Sequence, residues 1–178
     1  LFNGRDLSEW IVDTPGIWSV RNGVIVGESP GLPYNEFLRT RASCENFIFQ
    51  GKLRIIDGVG NSGIQFRSKP VENSHELSGY QADAGERHWG ALYDESRRRK
   101  VLATPGDRFI DGVDGAAWHS YVVEANENRI RIVFDGVETV DYEEREPGIE
   151  RQGFIALQVH GSREPVEVWF KDLRIHSL

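Results

Sequence analysis

The chain has one cysteine, Cys44, and no methionine among its 178 residues. A single thiol excludes an intrachain disulfide and any cysteine-rich zinc site. It fits a reducing or an oxidising compartment equally well. No stretch approaches the ~18 consecutive apolar residues of a membrane-spanning helix. Basic charge is also in deficit: 21 Lys and Arg stand against 28 Asp and Glu, a net charge of −7. That balance weighs against nucleic-acid and anionic-membrane partners, which reward a basic face. The missing methionine at position 1 leads us to expect a processed or excised product. Internal repeats, low-complexity tracts and Pro/Ser-rich linkers are absent too, so one domain over residues 1–178 is expected.

What is present is β-rich. Nineteen glycines are spread along the chain. Between them lie short runs of Val, Ile, Phe, Trp and Tyr bounded by turn signals, which read as strands. The runs are Ile17–Val20, Val24–Val26, Phe47–Ile56, Gly63–Arg67, Gly79–Asp83 and Ala91–Tyr93. In the second half they are Ser120–Ala125, Arg129–Phe134, Val137–Tyr142, Phe154–His160 and Val166–Ile175. Asn22-Gly23 and Asp135-Gly136 are hairpin turns. Helix is expected only in short pieces, around Tyr34–Phe37 or Glu95–Lys100. Many short strands with regular turns predict an all-β sandwich or barrel of antiparallel sheet.

Alternation sorts side chains onto faces. Ile155, Leu157 and Val159 form one face of their strand, and Phe154, Ala156, Gln158 and His160 the other. Ser62, Ile64 and Phe66 likewise oppose Asn61, Gly63, Gln65 and Arg67, while Tyr80 and Ala82 oppose Gln81 and Asp83. Three strands thus carry an apolar face and a face of amide, guanidinium, carboxylate and imidazole groups. Those groups suit the hydroxyls of a sugar. By alternation alone, a plain solvated face accounts for them better than a binding face.

The order of the segments adds to this. The opening Leu1-Phe2-Asn3-Gly4-Arg5-Asp6-Leu7-Ser8-Glu9-Trp10 resembles the start of the 3-keto-disaccharide hydrolase domain family, long known as a domain of unknown function. Trp18–Ile25, Asn61–Arg67, Gly79–Asp83 and Gly90–Arg98 resemble its following blocks, and Gly153–His160 and Val168–Ile175 its end. The family's Trp-Asn appears as Trp118-His119, and its Asn-Gly turn as Asp135-Gly136. At Gln81 many members have Glu, so a carboxylate role does not carry over to that position. The resemblance covers essentially the whole chain. It implies a concanavalin A-like jelly-roll sandwich of two antiparallel sheets whose concave sheet holds the sugar site. It also implies an extracellular or periplasmic location and activity on glycosides oxidised to a ketone at sugar carbon 3.

Such a ketone acidifies the hydrogen at carbon 2. A base removes it, the enolate expels the group at carbon 1, and water addition completes a net hydrolysis. The site then needs a base, donors for the enolate oxygen and an acid for the leaving group. His160, Asp83 and Glu95 are the catalytic candidates. Asn61, Arg67, Gln81, Trp89, Tyr93 and Gln158 are the substrate-binding candidates, with Trp89 expected in an exposed loop near the site. Each has a structural alternative: Arg67 and Asp83 as an ion pair, Tyr93 as core, Glu95 as a loop carboxylate. Arg97-Arg98-Arg99-Lys100 reads as a solvated face. No His/Cys cluster has zinc spacing, and Asp111–Asp114 lacks a regular calcium-loop motif, so no metal and no cofactor are expected.

A non-catalytic, lectin-like carbohydrate-binding module is the competing reading on the same fold. It needs hydrogen-bonding groups but no base. A two-carboxylate glucanase would show a Glu-x-Asp-x-x-Glu strand, which the sequence lacks.

Overall fold

The computed structural model describes all 178 residues. Fourteen strands follow in chain order: β1 Trp10–Val12, β2 Trp18–Arg21, β3 Val24–Ser29, β4 Glu36–Thr40, β5 Phe47–Ile55, β6 Asn61–Pro70 and β7 Leu77–Gly85. Then come β8 Leu92–Glu95, β9 Lys100–Ala103, the one-turn helix α1 Asp107–Ile110, β10 His119–Asn126, β11 Arg129–Phe134, β12 Val137–Glu143, β13 Phe154–Val159 and β14 Val166–Ser177. They form two seven-stranded sheets. The front sheet runs β1-β4-β13-β6-β7-β8-β9, and the back sheet β12-β11-β10-β5-β14-β3-β2. All strand pairs are antiparallel. This is the expected jelly-roll sandwich.

The two apolar faces meet in a core of 31 buried residues. Phe47, Phe49 and Leu53 of β5 alternate inward against Ile64 and Phe66 of β6 and Ile155 and Leu157 of β13. Each such side chain contributes about 1.5–3 kcal/mol by leaving water. This burial fixes register, because a one-residue slip would turn the row outward. Both expected hairpin turns form, with positive φ at Asn22 and Gly23 (50° and 78°) and at Asp135 and Gly136 (47° and 81°). That pair of left-handed residues matches strand twist in a two-residue turn.

The helix expectations fail. Residues 36–40 are strand β4, because Glu36–Arg39 pair with Val159–Ala156 and Leu38 faces the core. Tertiary pairing overrides a weak local signal here. At 95–100 the chain makes a tight turn from β8 to β9. The buried Asp94 carboxylate receives Arg97 and Arg98, which fastens the turn, and Ser96 and Arg99 take φ of 51° and 52°. Arg97 and Arg98 are therefore partly buried ion-pair partners rather than a solvated face. The helix forms instead at Asp107–Ile110, and β1 and β9 are strands that the sequence pattern did not single out.

Candidate functional site

The outer face of the front sheet carries the polar rows. Register places Gly63 beside Asp83, Gln65 beside Gln81, and Gln81 beside Tyr93. On the other side, Ala156 lies beside Gln65 and Gln158 beside Phe37. Asn61, Gln81, Asp83, Tyr93 and Gln158 are thereby gathered on neighbouring strands, as alternation required.

Gly63 makes the centre of this floor. A Cβ there would stand 2.7 Å from Gln81 Cγ, so the missing side chain lets Gln81 lie across β6. Gln81 Nε2 then donates to Gln158 Oε1 at 3.2 Å and to Asp83 Oδ1 at 3.3 Å. Asn61 Nδ2 donates to the same Oδ1 at 3.0 Å, and the Ala84 amide at 2.9 Å. No protein group donates to Asp83 Oδ2. The backbone beneath is pinned through the core, where Tyr121 Oη donates to the Asp83 carbonyl at 2.8 Å.

The floor has unmet hydrogen-bonding capacity. Gln65 Oε1, Gln81 Oε1 and Gln158 Nε2 are buried without a partner. Two acceptors and one donor, left bare in a low-dielectric setting, are costly unless something completes them.

Burial is the main force on Asp83, which is only 4% exposed, and it pushes the carboxyl up to about 7. The bonds from Asn61, Ala84 and Gln81 oppose that, as does the charge of His160. Glu95, half-buried at the end of β8, is also raised to about 7, first by burial and then by the charges of Glu76 and Asp83. Tyr93 is raised by burial and by Glu95 and Asp83. His160 is exposed at the end of β13, with Nδ1 2.7 Å from the Gly161 carbonyl. Nδ1–H donates to that carbonyl, and Nε2 has no protein partner. Two carboxyls poised near neutrality beside an imidazole form a set able to accept and return protons.

Two expected site residues lie elsewhere. Arg67 sits in a β-bulge after Phe66 with φ of 49°. Its guanidinium donates to the Glu45 carbonyl at 2.9 Å, the Glu127 carbonyl at 2.8 Å and Asn46 Oδ1 at 3.2 Å. It ties the front sheet to turns of the back sheet and does not pair with Asp83, because the bulge breaks the alternation that sequence reading relies on. Trp89 is 3% exposed and belongs to the core, with its ring 4.9 Å from that of His119 and 5.9 Å from that of Phe134. Glu86 and Arg87 of that loop are exposed, but Trp89 itself folds inward. Gln65 belongs to the floor although only its place in the polar row pointed to it. Asn35, Glu76 and Ser96 border the floor and carry no local sequence signal.

A cavity of about 900 Å³ lies away from this floor, lined by Arg98, Arg129, Asp141 and Glu143 among others. Apart from Lys100, its basic groups are already matched, Arg129 with Asp141, Arg145 with Glu143, and Arg98 with Glu144 and Glu146. The polar floor, with its unmatched groups, is the better candidate.

The family model for the 3-keto-alpha-glucoside-1,2-lyase-like domain matches residues 1–176. The chain belongs to this family. Among solved structures, this lyase-like domain is similar to a provisionally assigned glycosyl hydrolase from Parabacteroides distasonis ATCC 8503. The TM-score is 0.75 at 19% identity, covering 100% of this chain and 92% of that chain. It is also similar to the carbohydrate binding module CBM66 from Bacillus subtilis (TM-score 0.73, 19% identity, 95% and 96% covered). The Bacillus licheniformis beta-glucanase follows at TM-score 0.63 and 13% identity, with 99% and 96% covered. At these identities the likeness is one of fold. No curated protein matches the lyase-like domain significantly. No helix is long and apolar enough to cross a membrane.

Proposed function

We propose that this domain cleaves 3-keto-glycosides, 3-keto-disaccharides among them, by eliminating the group at carbon 1. The observation that carries the reading is Asp83: a buried carboxyl poised near neutrality, with three donors on Oδ1 and none on Oδ2. In this reading ionised Asp83 takes the carbon 2 hydrogen as a proton on Oδ2. The C–H electron pair becomes the enolate, whose negative charge rests on the former ketone oxygen. The enolate then collapses: the ketone re-forms, a double bond forms between carbons 1 and 2, and the carbon 1–oxygen bond breaks. The leaving oxygen keeps that electron pair and receives the proton of Glu95. Addition of water across the new double bond turns elimination into net hydrolysis.

The partly exposed Tyr93 hydroxyl, beside Gln81 in the sheet, is the donor for the enolate oxygen, and the buried amides of Gln65, Gln81 and Gln158 brace the floor behind it. Asn61 and Tyr93 edge the floor, and His160, through its free Nε2, serves proton exchange at the rim. The whole chain acts as one unit in this reading, since both sheets share one main core. An extracellular or periplasmic setting, where oxidised glycans would be met, fits the family.

The amide floor also favours a second reading, a lectin-like module that binds sugar and leaves it intact. The test is nitrophenol release from a nitrophenyl 3-keto-glucoside beside the unoxidised glucoside. Release from the keto substrate alone supports the eliminating enzyme. Binding without release from either supports the module.

A further inference from the structure

The tip of the β6–β7 hairpin is still a two-stranded ladder, with Lys69 paired to Ser78 and Pro70 to Leu77. A bulge between Phe66 and Lys69 shifts the register. Opposite it, Gly79 has no side chain, and a Cβ there would collide with Ser68 Oγ. Glycine therefore permits the two strands to close up where the hairpin bends. Past the bend, the tip leans over the outer face of the sheet. Gln65 Nε2 reaches the Leu77 carbonyl at 3.4 Å, although Gln65 lies in register with Gln81, four residues further on.

The tip is fastened on both sides. The Glu76 carboxylate accepts from Ser96 Oγ at 2.9 Å, beyond the end of β8, and from Asn35 Nδ2 at 3.3 Å, before the start of β4. In the sheet order these two strands are four steps apart. That is about 19 Å at the usual strand spacing. Both partners are nevertheless within hydrogen-bond distance of one carboxylate, so the segments that carry Asn35 and Ser96 lean in over the outer face to meet the tip. Beside it, His75 Nδ1 lies 3.1 Å from Glu36 Oε1, and the His75 ring stacks on Tyr34 at 3.8 Å between centroids. Beneath, Phe37, Leu77 and Ala156 form a small apolar cluster separate from the main core, and Gln65 is fully buried. Asn61, Tyr93, Glu95 and His160 stay partly or fully accessible on the face, and Arg39 and Phe154 are partly accessible at the other end of β4 and β13.

We infer that the folded-over tip, latched by Glu76, is a roof that closes the sugar groove at its β13–β4 side and sets ligand specificity. This rests on the outer face being the sugar site, as proposed above. A groove open at both ends accepts a ring from the middle of a glycan chain. A groove blocked at one side accepts only a ring at a chain end, because the chain can leave in one direction only. The domain should therefore take an oxidised ring at a terminus and exclude the same ring placed internally.

The probes are two α-linked glucotetraoses, one with its only 3-keto ring at the non-reducing end and one with that ring internal. Calorimetric binding is measured with Asp83→Asn protein, so that turnover does not consume the probe. The terminal probe should bind at least 100-fold more tightly. Replacing Glu72–His75 by two glycines should cut that discrimination below tenfold, and Glu76→Ala should move it in the same direction if the shortened tip fails to fold. Equal binding of both probes, or discrimination unchanged in both folded variants, overturns the roof. Reaction chemistry is read separately, from leaving-group release by the unsubstituted protein. Terminal binding without release sinks the elimination and leaves the roof standing, whereas binding of neither probe removes the sugar site and the roof together.

Discussion

Gln81 and Gln158 stand on strands that are not neighbours, yet Gln81 Nε2 donates to Gln158 Oε1 at 3.2 Å because Gly63 on the strand between them has no side chain. The bond orients both amides and leaves Gln81 Oε1 and Gln158 Nε2 buried without a partner.

Gly63→Ala should uncouple this pair. The new methyl would sit 2.7 Å from Gln81 Cγ and force the amide off Gln158. Overpacking of this kind costs about 1–3 kcal/mol. We expect a modest fall in melting temperature with a loss of keto-glycoside turnover of tenfold or more. Turnover equal to the unsubstituted protein would show that the amide bridge is dispensable.

Asp83→Asn should abolish proton abstraction while stabilising the fold at alkaline pH. Burial holds the folded carboxyl near 7, above its value of about 3.9 in an unfolded chain. Between those values the folded state binds more protons, so stability falls as pH rises from about 4 to about 7. Glu95 works in the same direction over a similar window. Chemical denaturation at pH 5 and pH 8 should show the native protein weaker at pH 8, with part of the difference removed in Asp83→Asn. An unchanged difference would mean that Asp83 is ionised at little cost.

Turnover should follow a bell-shaped pH profile centred near 7, because one carboxyl must be ionised while its partner is protonated. Glu95→Gln should erase the alkaline limb for substrates with poor leaving groups. A flat profile from pH 5 to 9 would remove both carboxyls from proton transfer.

His160→Ala should keep the circular dichroism spectrum and lose turnover, since the side chain is exposed and its one bond is to the adjacent Gly161 carbonyl. Retention of full turnover would exclude His160 from the mechanism.

Trp89→Ala and Arg67→Ala should act on stability. Emptying a core tryptophan site costs about 3–5 kcal/mol. Removing the Arg67 guanidinium leaves two backbone carbonyls and Asn46 without their donor. Thermal melts should drop in both. An Arg67→Ala protein with native melting temperature and impaired sugar binding would return Arg67 to the site.

Local pattern determined a good deal of this protein. Alternation in Phe154–Val159 and Asn61–Phe66 chose the face that meets the main core, and so which side Gln158 and Gln65 occupy, but that opposite side is buried as well, not solvated as alternation alone suggested. Asn22-Gly23 and Asp135-Gly136 determined their turns through backbone sterics that act within two residues. Where contacts span the chain, local pattern had no purchase. The bulge that diverts Arg67 depends on how β6 meets β7 and on Gly79 opposite Ser68. Trp89 is core because β10 and β11 bring His119 and Phe134 to it. Asn35, Glu76 and Ser96 meet only because the hairpin tip folds back over the sheet. The raised carboxyls of Asp83 and Glu95 belong to this second group, since their charge state is set by the packing around them, and packing exists only once both sheets have closed.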